Sequence, residues 1–234
     1  MATKQNILEK AKTEKRTLLT EIESKELLKQ AGIDVVETRL AASKEEAIAI
    51  SGELKFPVAL KIVSPDITHK SDAGGVKLGL KTANQVGKAY DDILASVKSK
   101  NPQAVIHGVS VQKMASPGVE VIMGMFQDPQ FGPVLMFGLG GVFVEVLKDV
   151  SFRLVPLTRR DAQEMVREIK GFQLLAGFRG HEPVAIHVLE NWLLKLSDFI
   201  AKNEDIKELD LNPVIAYPDC ALAVDARVVI QESK

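Results

Sequence analysis

Lys61 follows Val58-Ala59-Leu60 and precedes Ile62-Val63, so an ammonium group sits inside an apolar run that reads as a buried β-strand. An unpaired buried ammonium is costly, so this lysine needs an anionic partner or a cleft to project into. Downstream, His69-Lys70-Ser71-Asp72-Ala73-Gly74-Gly75 forms a polar loop ending in paired glycines, and a second strand-like run returns from Val76 to Leu80. A strand lysine, a glycine loop and a returning strand suit a polyphosphate. Glycines let backbone N–H groups come close to the oxygens, and the lysine supplies a point charge. The competing reading is a hairpin with an ordinary Gly-Gly turn and a lysine whose head reaches water past a buried stem.

A second constellation lies near the C-terminus, in Glu208-Leu209-Asp210-Leu211-Asn212-Pro213-Val214. On a strand, residues 208, 210 and 212 share one face and Leu209 and Leu211 the other. Asp225 adds an acid inside the apolar run Leu222-Ala223-Val224-Asp225-Ala226-Arg227-Val228. Adjacent strands presenting hard oxygen ligands are what a magnesium–nucleotide site needs, because Mg²⁺ takes one or two carboxylates plus phosphate oxygens. A solvent-facing row of polar residues explains Glu208 equally well.

Other chemistries find no support. Gly138-Leu139-Gly140-Gly141 is followed by strand residues, so it is no dinucleotide fingerprint opening a helix. There is no GxxxxGK[ST], HExxH or GxSxG. Of four histidines, His107 and His187 lie in periodic apolar segments and read as packing residues, and His181 lies in a polar turn. Cys220 is the single cysteine, so neither an internal disulfide nor a multi-cysteine metal site is available. A net charge of −1 and 5% aromatic residues give no basis for a nucleic-acid or membrane-surface partner. With no signal-peptide core and no apolar run near ~18 residues, the expected location is the cytoplasm.

The elements that must position these residues are an alternation of helices and strands, then mostly antiparallel strands. Helices are expected over 4–19 (or an arm there), after Thr20, after Ser43, over 83–100, after Thr158 and over 184–202. Strands are expected over 33–40, 58–63, 76–80, 105–114, 118–126, 133–137, 142–150, 152–157, 206–216 and 220–230. This is an α/β (α+β) pattern in two lobes. The expected division is 1–19 as an N-terminal arm or helix, 20–116 as a lobe with the phosphate-binding loop, and 117–234 as a lobe with the metal site.

Four ordered stretches carry a specific resemblance: LLTEIESKELLKQAGI, PVALKIVSPDITHKSDAGGVKLGL, GVEVIMGMFQDPQFGPVLMFGLGGVFVEVLKDVSFRLVPL and ELDLNPV…AVDARV. Together they resemble the β subunit of ADP-forming acyl-CoA (acetyl-CoA) synthetases, relatives of the succinyl-CoA synthetase β subunit, over about residues 18–229. The resemblance implies a two-lobed ATP-grasp fold with nucleotide in the interlobe cleft. It further implies that Lys61 contacts phosphates, that Ser71, Asp72, Ala73, Gly74 and Gly75 form the loop over them, and that Gln112, Lys113 and Met114 meet adenine. Glu120 is implied to bind ribose hydroxyls, and Asn212 and Asp225 to ligate Mg²⁺. Asp210 would orient a phosphohistidine, and His69 would be phosphorylated itself, with phosphate hydrogen bonding as its simpler role. Arg153 matches a family motif without an assigned role.

The implied reaction is acyl-CoA + ADP + phosphate ⇌ carboxylic acid + CoA + ATP, with ATP/ADP and Mg²⁺ bound here. The implied partner is a separate CoA-binding α subunit carrying a phosphorylatable histidine, in an α2β2 assembly. Phosphoryl transfer depends on charge neutralisation and in-line positioning more than on covalent activation. Two alternatives remain: an ATP-grasp carboxylate–amine ligase, which leaves His69 unexplained, and a non-catalytic nucleotide-sensing module of a protein acetyltransferase system.

Overall fold

Hydroxyl side chains start three helices. Ser43 Oγ accepts the Glu46 N–H at 3.2 Å, Thr82 Oγ1 that of Gln85 at 3.2 Å, and Thr158 Oγ1 that of Asp161 at 3.2 Å. Each satisfies a backbone donor that the first helical turn leaves open. In the computed structural model, which describes residues 4–67, 69–141, 149–178, 180 and 182–232, these caps open α3 (Lys44–Leu54), α4 (Ala83–Lys100) and α5 (Arg159–Glu168). The other elements are α1 (Lys4–Thr13), α2 (Glu21–Gln30), α6 (Phe172–Ala176), α7 (Ile186–Ala201) and strands β1 (Thr38–Ala41), β2 (Val58–Val63), β3 (Val76–Leu80), β4 (Gly108–Lys113), β5 (Val119–Asp128), β6 (Gly132–Leu139), β7 (Val150–Leu154), β8 (Ile206–Ala216), β9 (Ala221–Ala223) and β10 (Arg227–Ile230). Contacts divide the chain into two units: a smaller one of Thr20–Ile22 and Val36–Ala115, and a larger one of Met1–Leu19, Glu23–Val35 and Ser116–Lys234.

The smaller unit is a four-stranded antiparallel sheet in the order β1-β4-β2-β3. Val58, Leu60 and Ile62 of β2 and Val109 and Val111 of β4 pack on one face with Ala47 and Leu54 of α3 and Val86, Tyr90 and Ile93 of α4. Alternation along the strands therefore puts Ala59, Lys61, Ser110 and Gln112 on the opposite face. Those four are buried as well.

The larger unit carries a six-stranded antiparallel sheet, β10-β8-β5-β6-β7, with β9 also pairing β8. Val121, Met123 and Met125 of β5, Leu135 and Phe137 of β6 and Leu209 and Leu211 of β8 form a core with Met165 of α5 and Trp192, Leu193 and Leu196 of α7. Helix α1 is a packed helix: Ile7, Leu8 and Ala11 enter the same core, and Lys12 Nζ reaches Asp205 at 2.8 Å. A ten-residue helix is marginal alone, and burying Ile7 and Leu8 at about 1.5–3 kcal/mol each is what holds it.

Two expected strands differ from the structure. The strand over 33–40 shrinks to β1, because Val35 instead bridges Ala223 and Asp34 accepts the Ala223 N–H. The strand over 220–230 breaks into β9 and β10, with Val224, Asp225 and Ala226 between them. Most of the strand expected over 142–150 lies outside the described residues. Residues 23–35, expected with the loop-bearing lobe, cluster in the larger unit through the burial of Leu27, Leu28 and Ile33.

Candidate nucleotide site

In the smaller unit, Lys61 sits at the centre of the sheet, paired in register with Ser110 on β4 and Val76 on β3. It is 6% exposed, and its Nζ donates to Glu21 Oε1 at 2.8 Å. Gln112 stands opposite Ala59 and Lys113 opposite Val58, while the Met114 N–H donates to the Pro57 carbonyl at 3.1 Å. Thus Lys61 and Gln112 share one face, Gln112 is buried, Lys113 is exposed and Met114 is half-buried.

The glycine loop is tightly folded. The Ala73 N–H donates to the His69 carbonyl at 3.2 Å, Gly74 N–H to Ser71 at 2.9 Å and Gly75 N–H to Lys70 at 2.7 Å. From α4, Ser96 Oγ donates to the Ala73 carbonyl at 3.0 Å and Lys100 Nζ to that of Asp72 at 2.7 Å. Gly74 has φ +71°, and a Cβ there would stand 2.3 Å from Ser96 Oγ. A Cβ on Gly75 would meet Ile62 Cγ2 at 2.5 Å. Close approach, then, is why both positions are glycine. His69, Ser71 and Asp72 are exposed, and Ala73 is buried.

In the larger unit, the burial of β8 alternates as its sequence pattern requires: Leu209 and Leu211 are buried, Glu208 and Asp210 half-buried and Asn212 exposed. The β5 register slips between Val121, which pairs with Val214, and Met123, which pairs with Leu211, leaving a bulge at Asn212-Pro213. Proline cannot donate to a ladder, so in an interior strand it belongs at such a bulge. Val214 pairs with Ala223, the Val224 N–H reaches the Pro213 carbonyl at 2.9 Å, and Asp210 pairs with Arg227. That constant register puts Asp225 opposite Asn212. The break that ends β9 thus falls at the acid, whose Oδ1 accepts the Ala226 N–H at 2.8 Å.

Burial pushes the Asp210 carboxyl above the usual aspartate range; Arg227 opposes this, while Asp225 and Glu208 add to it. Glu120 is the second residue of β5 and is exposed. Its carbonyl accepts the Gly140 N–H at 2.7 Å, so the glycine stretch after β6 folds directly over it. An amide at 212 and a carboxylate at 225, on neighbouring stretches of chain, are hard oxygen donors of the kind a cation completed by substrate oxygens takes. Among the described residues no three His, Cys, Asp or Glu side chains gather into an all-protein cage.

The sequence pattern missed Glu21, which is 5% exposed and binds both Lys61 and Lys70. Its signal was available: a lysine buried in a strand demands an anion, but the anion comes from a distant helix start. His107 and His187 are exposed rather than packed. Apolar periodicity marks which stripe is buried, and both histidines fall outside that stripe. Arg153 has a structural partner, donating to Glu168 Oε1 at 2.8 Å and Oε2 at 2.7 Å. Burial pushes the exposed Cys220 thiol up, against thiolate chemistry. His181 lies outside the described residues.

The ATP-grasp domain family matches residues 10–230. The β subunit of acetate–CoA ligase [ADP-forming] I from Pyrococcus furiosus is 50% identical over 230 residues, covering 98% of this chain and 99% of that protein. The chain belongs to the ATP-grasp β subunits of ADP-forming acetate–CoA ligases. Solved structures agree in fold. The acetyl-coenzyme A synthetase 1 of Ca. Korarchaeum cryptofilum, in complex with coenzyme A, Ca-AMPCP and HgCl+, superposes with a TM-score of 0.94 at 50% identity, over 98% of this chain and 100% of that one. The same protein with coenzyme A and Mg-AMPPCP, its phosphohistidine segment pointing towards the nucleotide binding site, gives 0.86 at 47% identity, with the same coverage of both chains. In Archaeoglobus fulgidus, acetate–CoA ligase [ADP-forming] I is 48% identical over 88% of this chain but only 30% of that protein, so this family's ATP-grasp module also occurs within longer chains. As a β subunit, the chain is part of a multi-subunit ligase. Among the described residues no helix is long and apolar enough to cross a membrane.

Proposed function

We propose that this chain binds ATP or ADP with Mg²⁺ and performs the phosphoryl-transfer half of acid + CoA + ATP ⇌ acyl-CoA + ADP + phosphate, working with a CoA-binding α subunit in a cytoplasmic α2β2 assembly. The observation that carries this reading is 50% identity with an acetate–CoA ligase β subunit over 98% of this chain and 99% of that one.

Lys61 and the loop Ser71, Asp72, Ala73, Gly74 and Gly75 are the phosphate contacts, with Gln112, Lys113 and Met114 against adenine and Glu120 against ribose. Asn212 and Asp225 hold the metal, which supplies charge neutralisation on the phosphate oxygens when bound. His69 Nε2 or Nδ1 attacks the γ-phosphorus as a neutral imidazole, forming a P–N bond as the P–O bond to ADP breaks and losing its N–H proton to solvent. The phosphoryl group then passes to the partner's histidine, positioned by Asp210, and on to the carboxylate. Thiolysis of that acyl phosphate by CoA releases phosphate. The high exposure of His69 and its place beside a glycine-bearing loop fit a group that hands phosphate on.

The test is reconstitution with a CoA-binding α subunit from the same source. Acetyl-CoA should form from acetate, CoA and ATP, with one ADP per thioester, only when both chains and Mg²⁺ are present. AMP in place of ADP, or turnover without this chain, overturns the proposal.

A further inference from the structure

Glu21 opens α2 with a carboxylate that grips two ammonium groups, one on each oxygen. Lys61 Nζ on β2 donates to Oε1 at 2.8 Å, and Lys70 Nζ in the glycine loop donates to Oε2 at 2.8 Å. The side chains of Glu21, Lys61 and Lys70 are 2%, 7% and 23% exposed. All three belong to the smaller unit. The proposed function gives phosphate contact to Lys61 and leaves Lys70 and Glu21 without a role.

An ammonium has three N–H donors, so each lysine can keep one on Glu21 and turn another to a phosphate oxygen. Charge-assisted bonds of this kind are strong and directional enough to orient a flexible side chain. Lys70 needs that orientation more than Lys61 does, because it stands on a loop while Lys61 stands on a central strand. The loop backbone brings Lys70 to β2: its carbonyl accepts the Gly75 N–H at 2.7 Å, and the Gly75 carbonyl accepts the Ile62 N–H at 2.7 Å. A Cβ at Gly75 would lie 3.0 Å from the Lys70 carbonyl and 2.5 Å from Ile62 Cγ2, so the approach requires glycine.

We infer that Lys70 is a second contact for the nucleotide phosphates, and that Glu21 is the positioning residue that holds Lys61 and Lys70 together as a two-pronged cationic clamp. The inference rests on the nucleotide-binding reading above. In Glu21→Gln the side chain keeps one oxygen acceptor and turns an NH₂ toward the second ammonium, so one lysine, the loop-borne Lys70, is released.

Equilibrium binding of Mg-ADP and of adenosine to the full-length chain tests this. Wild type, Lys61→Met, Lys70→Met, Glu21→Gln and the Glu21→Gln/Lys70→Met double variant are compared. Lys70→Met and Glu21→Gln should each weaken Mg-ADP roughly tenfold, the size expected for one bond to a charged group. The double variant should be no weaker than the worse single variant, because Glu21 acts through Lys70. Adenosine, which has no phosphates, should bind all of them as it binds wild type. Tighter or unchanged ADP binding by Glu21→Gln overturns the inference, making Glu21 a competitor or a bystander. Parallel loss of adenosine, or multiplying effects in the double variant, also overturns it in favour of a purely structural role. Should Glu21→Gln not fold, Lys70→Met decides alone: unchanged ADP affinity refutes the clamp. Wild type that binds no Mg-ADP refutes the nucleotide reading itself. Loss in Lys61→Met with full binding in the Lys70 and Glu21 variants refutes only the clamp.

Discussion

Gly140 lies against Glu120 so closely that a Cβ on the glycine would stand 2.9 Å from the Glu120 Cβ and 3.0 Å from its carbonyl carbon. At Gly141 (φ +63°) a Cβ would lie 3.1 Å from Glu120 Oε2. The glycine-rich stretch that resembles a dinucleotide fingerprint in sequence is therefore a close-packed turn over one carboxylate.

Gly140→Ala forces backbone apart and should destabilise by about 1–3 kcal/mol, with weaker nucleotide binding as Glu120 moves. The contrast is Gly52 in α3, where a Cβ meets nothing within 4 Å. Gly52→Ala should stabilise by about 0.5–1 kcal/mol. Chemical denaturation of both variants measures the two opposite signs.

Lys61→Met removes one ammonium from a buried carboxylate. Breaking a buried pair costs about 3–5 kcal/mol, and the Lys70 contact to Glu21 should bring the loss toward the lower value. Turnover should fall by roughly 10²–10³ as well, the scale for one preorganised electrostatic contact in a transition state. Thermal melts and initial rates on the same preparations check both.

How much was visible in the sequence follows from the range of each interaction. The caps Ser43 and Thr158 are read within four residues, and so are the alternating faces of β8 and the lysine inside β2. The partner of that lysine was not legible, because Glu21 lies forty residues earlier in a helix whose local pattern says only that it begins there. The break at Asp225 was hidden for the opposite reason. Apolar neighbours made one continuous strand the best local fit, whereas the structure interrupts pairing at the acid and keeps its register against Asn212. Residue types and their spacing are local and readable, whereas the contact between Glu21 and Lys61 is not.

Asp210 should make stability fall as pH rises from the acid range. Its folded-state carboxyl titrates above the ordinary value of about 3.8, so the folded chain holds the proton longer than the unfolded one. Below both values the group is protonated in either state and costs nothing differential. Above both, the folded state carries the burden of a half-buried charge. Asp210→Asn should therefore melt higher than wild type at pH 7, with the gap closing toward pH 4; a gap that widens on acidification contradicts the assignment.

Asp225→Ala should leave the fold intact, since the carboxylate sits between β9 and β10 and outside both ladders. Turnover should drop by roughly 10²–10³. Excess Mg²⁺ should recover part of it, and circular dichroism should match wild type. Loss of folded signal would mean that the bond to the Ala226 N–H matters more than metal binding.

A phosphoryl group should pass through this chain on His69. The direct measurement incubates the chain and its α partner with Mg²⁺ and ATP labelled at the γ-phosphate, then asks which polypeptide holds label and whether it survives acid or alkali. Acid-labile, alkali-stable label should appear on this chain and be absent from His69→Ala, together with most of the turnover. Label confined to the partner, with His69→Ala turning over as wild type does, would contradict it.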